Sequence, residues 1–133
     1  MNPLRTIIID DEPLALELIE NYVLKTPFLE IVGKFTNAID ALSELNDLSP
    51  DLIFVDIQMP DLDGIAFSKK VNKDVSIIIT TAFEEYALAG YKVNAIDYLL
   101  KPFSYEEFLE GALKAKRRNQ PVLESTEVNQ NER

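Results

Sequence analysis

Neither cysteine nor histidine occurs among the 133 residues, and tryptophan is absent as well. Without cysteine there is no disulfide framework and no thiolate chemistry. Without histidine, imidazole acid–base catalysis and the usual zinc ligand sets are excluded. Any bound metal must therefore be held by oxygen, which points to magnesium, calcium or manganese. Basic residues are scarce, 13 against 23 acidic ones, for a formal net charge of -10. That balance argues against a broad nucleic-acid-binding face, because neutralising phosphates needs clustered Lys and Arg. It suits a chain that meets a basic patch on a partner, or one that gathers cations in an acidic cleft. No apolar run approaches the roughly 20 residues of a membrane span, and Met1 to Arg5 do not lead into a secretory core. The expected setting is the cytoplasm, with no membrane partner.

The length suits a single domain with one hydrophobic core. Its organising stretch is Asp51 to Asp56, where Leu52, Ile53, Phe54 and Val55 run without polar alternation into a carboxylate. This is the pattern of a strand in a parallel sheet covered on both faces, and such sheets carry their chemistry at the carboxyl ends of the strands. Similar runs are Thr6 to Ile9, ending at Asp10 and Asp11; Phe28 to Phe35; Val75 to Thr80, leading into Thr81; and Ala95 to Leu100, ended by Lys101 and Pro102. Gly33 marks an edge or a close approach within the second of the five strands.

Helical spacing separates the strands. Pro13 suits a first helical position, with Asp11 or Glu12 as cap and Leu16, Leu18, Ile19, Tyr22 and Val23 behind it as far as about Leu24. Ala38, Ile39, Ala41, Leu42 and Leu45 mark a second helix capped by Thr36 or Asn37. A third runs from Ile65 to about Val71 after a loop of Pro60, Asp61, Asp63 and Gly64. A short fourth is expected from Glu84 to about Tyr91, weakly patterned because Ala87, Leu88 and Ala89 sit together. The last carries Tyr105, Phe108, Leu109 and Leu113, with Ser104 and Glu107 forming a capping box. Five alternations predict an α/β fold, an open parallel sheet with helices on both faces. From Arg118 onward apolar periodicity is lost. Residues 119–133 thus read as a disordered polar tail or the start of a linker following a 1–118 domain, in a chain cut from something longer.

The strand ends deliver Asp10 with Asp11, Thr36, Asp56, Thr80 with Thr81, and Lys101. Taken singly, each has an ordinary explanation: an Asp after a strand is commonly a turn or cap residue, a Thr satisfies its own backbone, and a Lys is a surface cation. Asp61 and Asp63 keep that reading as loop and cap. Together, the others fit a small anion held against a hard cation. Carboxylates ligate the metal, a hydroxyl donates to the oxyanion, and an ammonium offsets its charge. Crowding three carboxylates raises their pKa values, and a divalent cation offsets that cost.

These residues resemble the receiver domain of two-component response regulators over about Leu4 to Lys116. The matching pieces are the pair Asp10 and Asp11; Asp56, Ile57, Gln58, Met59 and Pro60 followed by Asp63 and Gly64; Thr81 with Ala82; and Lys101 with Pro102 and Phe103. The resemblance implies a CheY-like, flavodoxin-like three-layer sandwich: a doubly wound five-stranded parallel sheet of order 2-1-3-4-5 with five helices. It implies that Asp56 is the phosphoacceptor, attacking a phosphohistidine of a sensor kinase or phosphotransfer protein. Magnesium, with manganese as a possible substitute, would be bound by Asp11 directly, by Asp56, by the backbone carbonyl of Gln58, and by Asp10 through water. Thr81 and Lys101 would contact phosphoryl oxygens, Tyr98 would move inward with Thr81 on activation, and the Lys101–Pro102 peptide is a cis candidate.

The same resemblance implies self-phosphorylation from small phosphodonors, auto-dephosphorylation, and a switch read on the fourth helix, fifth strand and fifth helix. That surface could serve a homodimer, with Ala87, Ala89, Tyr91 and Val93 as possible contributors. The segments Thr81 to Ala87 and Asn94 to Pro102 resemble receivers joined to LytTR-type DNA-binding domains. DNA would then be contacted only through an output domain missing here. One rival is a magnesium-dependent phosphatase with an aspartyl nucleophile, which generally needs a further acid–base carboxylate and a cap. A second is a degenerate receiver that only docks, which would be expected to lack a key group. A flavodoxin-like cofactor binder would want a phosphate loop where Asp10, Asp11, Glu12 and Pro13 stand.

Overall fold

A computed structural model describes residues 2–84 and 94–120. The strands are β1 (Leu4–Ile9), β2 (Leu29–Phe35), β3 (Leu52–Asp56), β4 (Ser76–Thr81) and β5 (Asp97–Leu100), and the helices are α1 (Pro13–Leu24), α2 (Ala38–Leu48), α3 (Gly64–Lys69) and α4 (Tyr105–Arg118). All strand pairs are parallel, in the order β2-β1-β3-β4-β5. The sheet is the expected one. The helix count is corrected: five are expected, and the described residues contain four. The helix expected from Glu84 to Tyr91 falls almost wholly on residues 85–93, outside the described residues, as do Ala87, Ala89, Tyr91 and Val93. In its sequence Ala87, Leu88 and Ala89 sit together, so the segment is amphipathic only in part. Residues 121–133 also lie outside the described residues.

The unbroken apolar runs are explained by two cores, one on each face of the sheet. Ile8, Phe54, Ile78 and Leu99 pack with Ile19 and Val23 of α1 and with Phe108, Ala112 and Ala115 of α4. Ile7, Ile9, Ile53, Val55, Ile77 and Ile79 pack instead with Ala38 and Ala41 of α2 and Phe67 of α3. Because side chains alternate along a strand, three consecutive isoleucines in β1 and in β4 feed both cores at once. Burying each such side chain contributes on the order of 1.5–3 kcal/mol.

Local signals place the helix starts. Pro13 opens α1 behind Glu12, whose side chain makes no cap bond. Asn37 rather than Thr36 caps α2, accepting from the Asp40 N–H at 2.8 Å. Ser104 and Glu107 form the reciprocal capping box of α4. Acidic Glu106 and Glu107 in its first turn and basic Lys116, Arg117 and Arg118 in its last both favour the helix dipole. Gly33 lies on an edge strand where the β1–β2 register shifts, and a Cβ there would crowd Phe35 and Leu48. Among the described residues no helix is long and apolar enough to cross a membrane.

Gly64 has a stricter reason for being glycine. A Cβ on it would fall on the carbonyl oxygen of Asp56 and lie 2.9 Å from the carbonyl carbon. The start of α3 is thus pressed against the backbone that carries the β3 carboxylate, with the Gly64 N–H donating to the Ile57 carbonyl at 2.9 Å. Backbone cannot yield as a flexible side chain can. Gly64→Ala is therefore expected to destabilise the fold by about 1–3 kcal/mol, the cost of overpacking, measured as a lower urea midpoint with an unchanged slope.

Candidate functional site

The carboxyl edge of the sheet collects the charged groups. Asp10 follows β1, Asp56 ends β3 and Lys101 follows β5. Asp10 and Asp56 are buried, Lys101 is half-buried and Asp11 is exposed. One carboxylate oxygen from each of Asp10, Asp11 and Asp56 lies within 4.8 Å of the others. A divalent ion with metal–oxygen distances of about 2.0–2.6 Å closes that spread with small side-chain rotations. The donor set is all oxygen and carries three negative charges, which suits a hard cation. Asp10 and Asp11 are sequence neighbours, yet both reach the cluster because the backbone is turning beyond the end of β1.

Asp10 has its two oxygens engaged by the protein itself. Oδ1 accepts from the Glu12 N–H at 3.0 Å and Oδ2 from Lys101 Nζ at 2.8 Å. Lys101 also pairs with Asp56 Oδ2 at 3.5 Å, so a single ammonium bridges two buried carboxylates. Burial works to lower the pKa of Lys101, and its bond and charge contact with Asp10, helped by Asp56, outweigh that and raise it. Asp56 is pushed up from 3.8 to about 6, first by burial and then by the charge of Asp10, against the opposing pull of Lys101 and the Gln58 N–H. That N–H donates to Asp56 Oδ1 at 3.4 Å.

Thr81, at the end of β4, is buried and its Oγ1 accepts from the Phe83 N–H at 3.1 Å, which leaves its own proton available to donate. Thr80 sits beside Asp56 in the β3–β4 register, and its buried Oγ1 has no partner among the described residues. Tyr98 is half-buried against the α2/α3 core, and its hydroxyl donates to the Glu84 carbonyl at 3.4 Å. The Lys101–Pro102 peptide is cis. Asp63 caps α3 through Ala66, and Thr36 lies exposed beyond the edge strand, so neither is placed in the cluster. Ile57, Gln58, Met59, Pro60 and Asp63 line an open cleft beside Asp56.

Two features of the site are silent in the sequence. Gly64, read from the sequence as a loop residue and as part of the receiver-like motif with no role of its own, lies against the backbone of Asp56. Tyr22, legible only as one member of an apolar stripe, donates its hydroxyl to the Phe103 carbonyl across 81 residues of chain. The only sequence signal for that bond is the polar tip that distinguishes tyrosine from phenylalanine.

The sequence model of one family, the response regulator receiver domain, matches residues 6–113. Sensory transduction protein LytT of Bacillus cereus is 35% identical over 125 residues, covering 92% of this chain and 51% of that protein. Transcriptional regulatory protein BtsR of Escherichia coli is 38% identical over 101 residues, covering 74% of this chain and 42% of that protein. The chain thus spans about half the length of the curated relatives it matches. The crystal structure of the response regulatory domain of mrkE from Klebsiella pneumoniae superposes with a TM-score of 0.79 at 30% identity, covering 86% of this chain and 96% of that one.

The raised pKa of Asp56 has a consequence for stability. The folded protein holds this proton more tightly than the unfolded chain does, so the associated stabilisation is complete below about 4 and is lost as the pH rises through about 6. Asp56→Asn, which is neutral at every pH, should melt higher than wild type in metal-free buffer at about pH 7.5, and the gain should disappear near pH 4. Thermal melts at the two pH values check this.

Proposed function

The chain belongs to the response regulator receiver domain family, and on that premise we propose that Asp56 accepts a phosphoryl group from the phosphohistidine of a sensor kinase or phosphotransfer protein. The observation that carries the proposal is the convergence of Asp10, Asp11 and Asp56 within one oxygen cluster faced by the Lys101 ammonium. An Asp56 carboxylate oxygen attacks phosphorus, the N–P bond breaks, and its electron pair returns to the imidazole nitrogen of the donor. Phosphoryl transfer needs alignment and charge neutralisation more than an added acid or base. Small phosphodonors replace the phosphohistidine in self-phosphorylation. In auto-dephosphorylation water attacks the phosphorus, orthophosphate leaves and the carboxylate is restored.

The donor set fits magnesium, or manganese in its place, which Asp11, Asp56 and the Gln58 carbonyl would hold directly and Asp10 would hold through water. Asp10 suits the outer position because its oxygens already serve Glu12 and Lys101, while exposed Asp11 is left to face an ion. Magnesium, when bound, would supply positive charge against the negative charge that gathers at these residues during transfer. Lys101 neutralises one phosphoryl oxygen and Thr81 donates its spare proton to another. In activation Thr81 is drawn toward the phosphoryl group and Tyr98 follows it inward, which biases a two-state surface on β5 and α4.

The relatives named LytT and BtsR are about twice as long as this chain. We infer that residues 1–118 form the receiver, that residues 119–133 begin a polar linker, and that a LytTR-type output domain follows in the full protein. There the switch, through β5 and α4 or through a homodimer formed on them, would control DNA binding and transcription in the cytoplasm.

With acetyl phosphate and magnesium, the chain should gain one phosphoryl group of about 80 Da. Chelation of the metal and Asp56→Asn should each abolish the gain in intact-mass measurement. A shift that persists undiminished in Asp56→Asn would overturn the assignment. Lys101→Ala should leave magnesium affinity nearly unchanged while slowing phosphorylation, and a parallel loss of affinity would contradict its role.

A further inference from the structure

Lys101 has an unusual distance to cover. It leaves the sheet at β5, an edge strand, yet its ammonium bonds to Asp10 at the end of β1, with β4 and β3 in between. Its backbone N–H is held by the Thr81 carbonyl at 2.7 Å. Beyond it, Pro102 has no N–H to give, and the Ser104 N–H is spent on Glu107 within the capping box. Among the described residues, the segment 102–104 makes one hydrogen bond to another part of the fold: the Phe103 carbonyl accepts from the Tyr22 hydroxyl at 3.1 Å.

Tyr22 is itself well fixed. Its ring meets those of Phe103, Tyr105 and Phe108 at centroid distances of 6.2, 5.5 and 5.4 Å. Phe108 in turn stacks at 4.9 Å on Phe54, two residues before Asp56 in the same strand. The Lys25 ammonium lies 6.0 Å from the Tyr22 ring and 5.4 Å from that of Tyr105. The hydroxyl is therefore carried on a packed ring whose position is referred to α1 and, through Phe108, to β3.

We propose that the Tyr22 hydroxyl is a positioning group for Lys101, fixing the segment that follows Lys101 so that the ammonium stays over Asp10 and Asp56. The proposal rests on the phosphoacceptor reading for its kinetic consequence, and on geometry alone for its effect on Lys101. Nothing in it requires Tyr22 to touch the phosphoryl group. Helix α1 then contributes to the site from both ends: its start follows Asp10 and Asp11, and its last turns hold the Lys101 segment.

Tyr22→Phe removes the hydroxyl and keeps the ring. The control is Thr26→Val, which removes a neighbouring hydroxyl that bonds the Tyr22 carbonyl at 2.8 Å and lies 3.0 Å from the Tyr105 hydroxyl, but leaves the Phe103 carbonyl bonded. In NMR spectra of the unphosphorylated protein, Tyr22→Phe should make the Lys101 ammonium protons exchange faster with water and should shift the amide signals of Lys101 and Phe103. Thr26→Val should do neither. With acetyl phosphate and saturating magnesium, Tyr22→Phe should slow phosphorylation by about three- to tenfold, the effect of losing one hydrogen bond, with magnesium affinity within about twofold. Lower stability alone would not produce this pattern at temperatures where both variants are folded. Unchanged Lys101 exchange in Tyr22→Phe, or an equal change in Thr26→Val, overturns the proposal. Failure of wild type to take up any phosphoryl group would instead overturn the phosphoacceptor reading and leave the exchange result standing as the test of Tyr22.

Discussion

Like charges gathered at one edge of a sheet are the constraint from which the rest of this structure follows. Asp10, Asp11 and Asp56 bring three carboxylates together, and one ammonium, that of Lys101, is bonded to two of them. Lys101 does not offset the cost in full: burial first, and the charge of Asp10 after it, hold the pKa of Asp56 above its ordinary value. A site left with excess negative charge and open oxygens attracts a divalent cation, and the pair then attracts an anion.

The scaffold makes such crowding tolerable. Two cores, one fed by Ile8, Phe54 and Ile78 and the other by Ile7, Ile9, Ile53, Val55, Ile77 and Ile79, fix the central strands from both sides. Their carboxyl ends are then held in register whatever charge they carry. Each further element contributes one adjustment. Gly64 lets α3 approach the Asp56 backbone, Thr81 ends β4 with a hydroxyl, and α4 starts at Ser104 just beyond the Lys101 segment. At the opposite edge Arg118 reaches from the end of α4 to Ser76 Oγ at 2.9 Å and to the Lys73 carbonyl, and Arg5 bonds the last carbonyl of α2 at 2.7 Å. Those bonds tie the helix ends to the sheet away from the reactive groups.

Much of this is legible in the order of residues, for identifiable reasons. β1, β3 and β4 are buried on both faces, so their apolar runs stand out, and the charged or hydroxylated residues that end them are therefore easy to place. Asn37, Asp63 and Ser104 announce helix starts because their side chains bond within three residues. Legibility fails where the partner is remote. The Tyr22–Phe103 bond spans 81 residues, and the approach of Gly64 to Asp56 is a packing fact with no local pattern. Boundaries blur where pattern is weak: β5 starts at Asp97 rather than Ala95, and α3 ends at Lys69 rather than near Val71.

The most direct test of the account is calorimetric titration of magnesium into the wild-type chain and into Asp11→Asn, a change at an exposed residue. The account predicts one ion bound by wild type and an affinity lower by at least about tenfold in the variant, no smaller than the loss typical of disturbing a supporting ligand. Equal affinity in the two proteins, or no binding by wild type at millimolar magnesium, would contradict it.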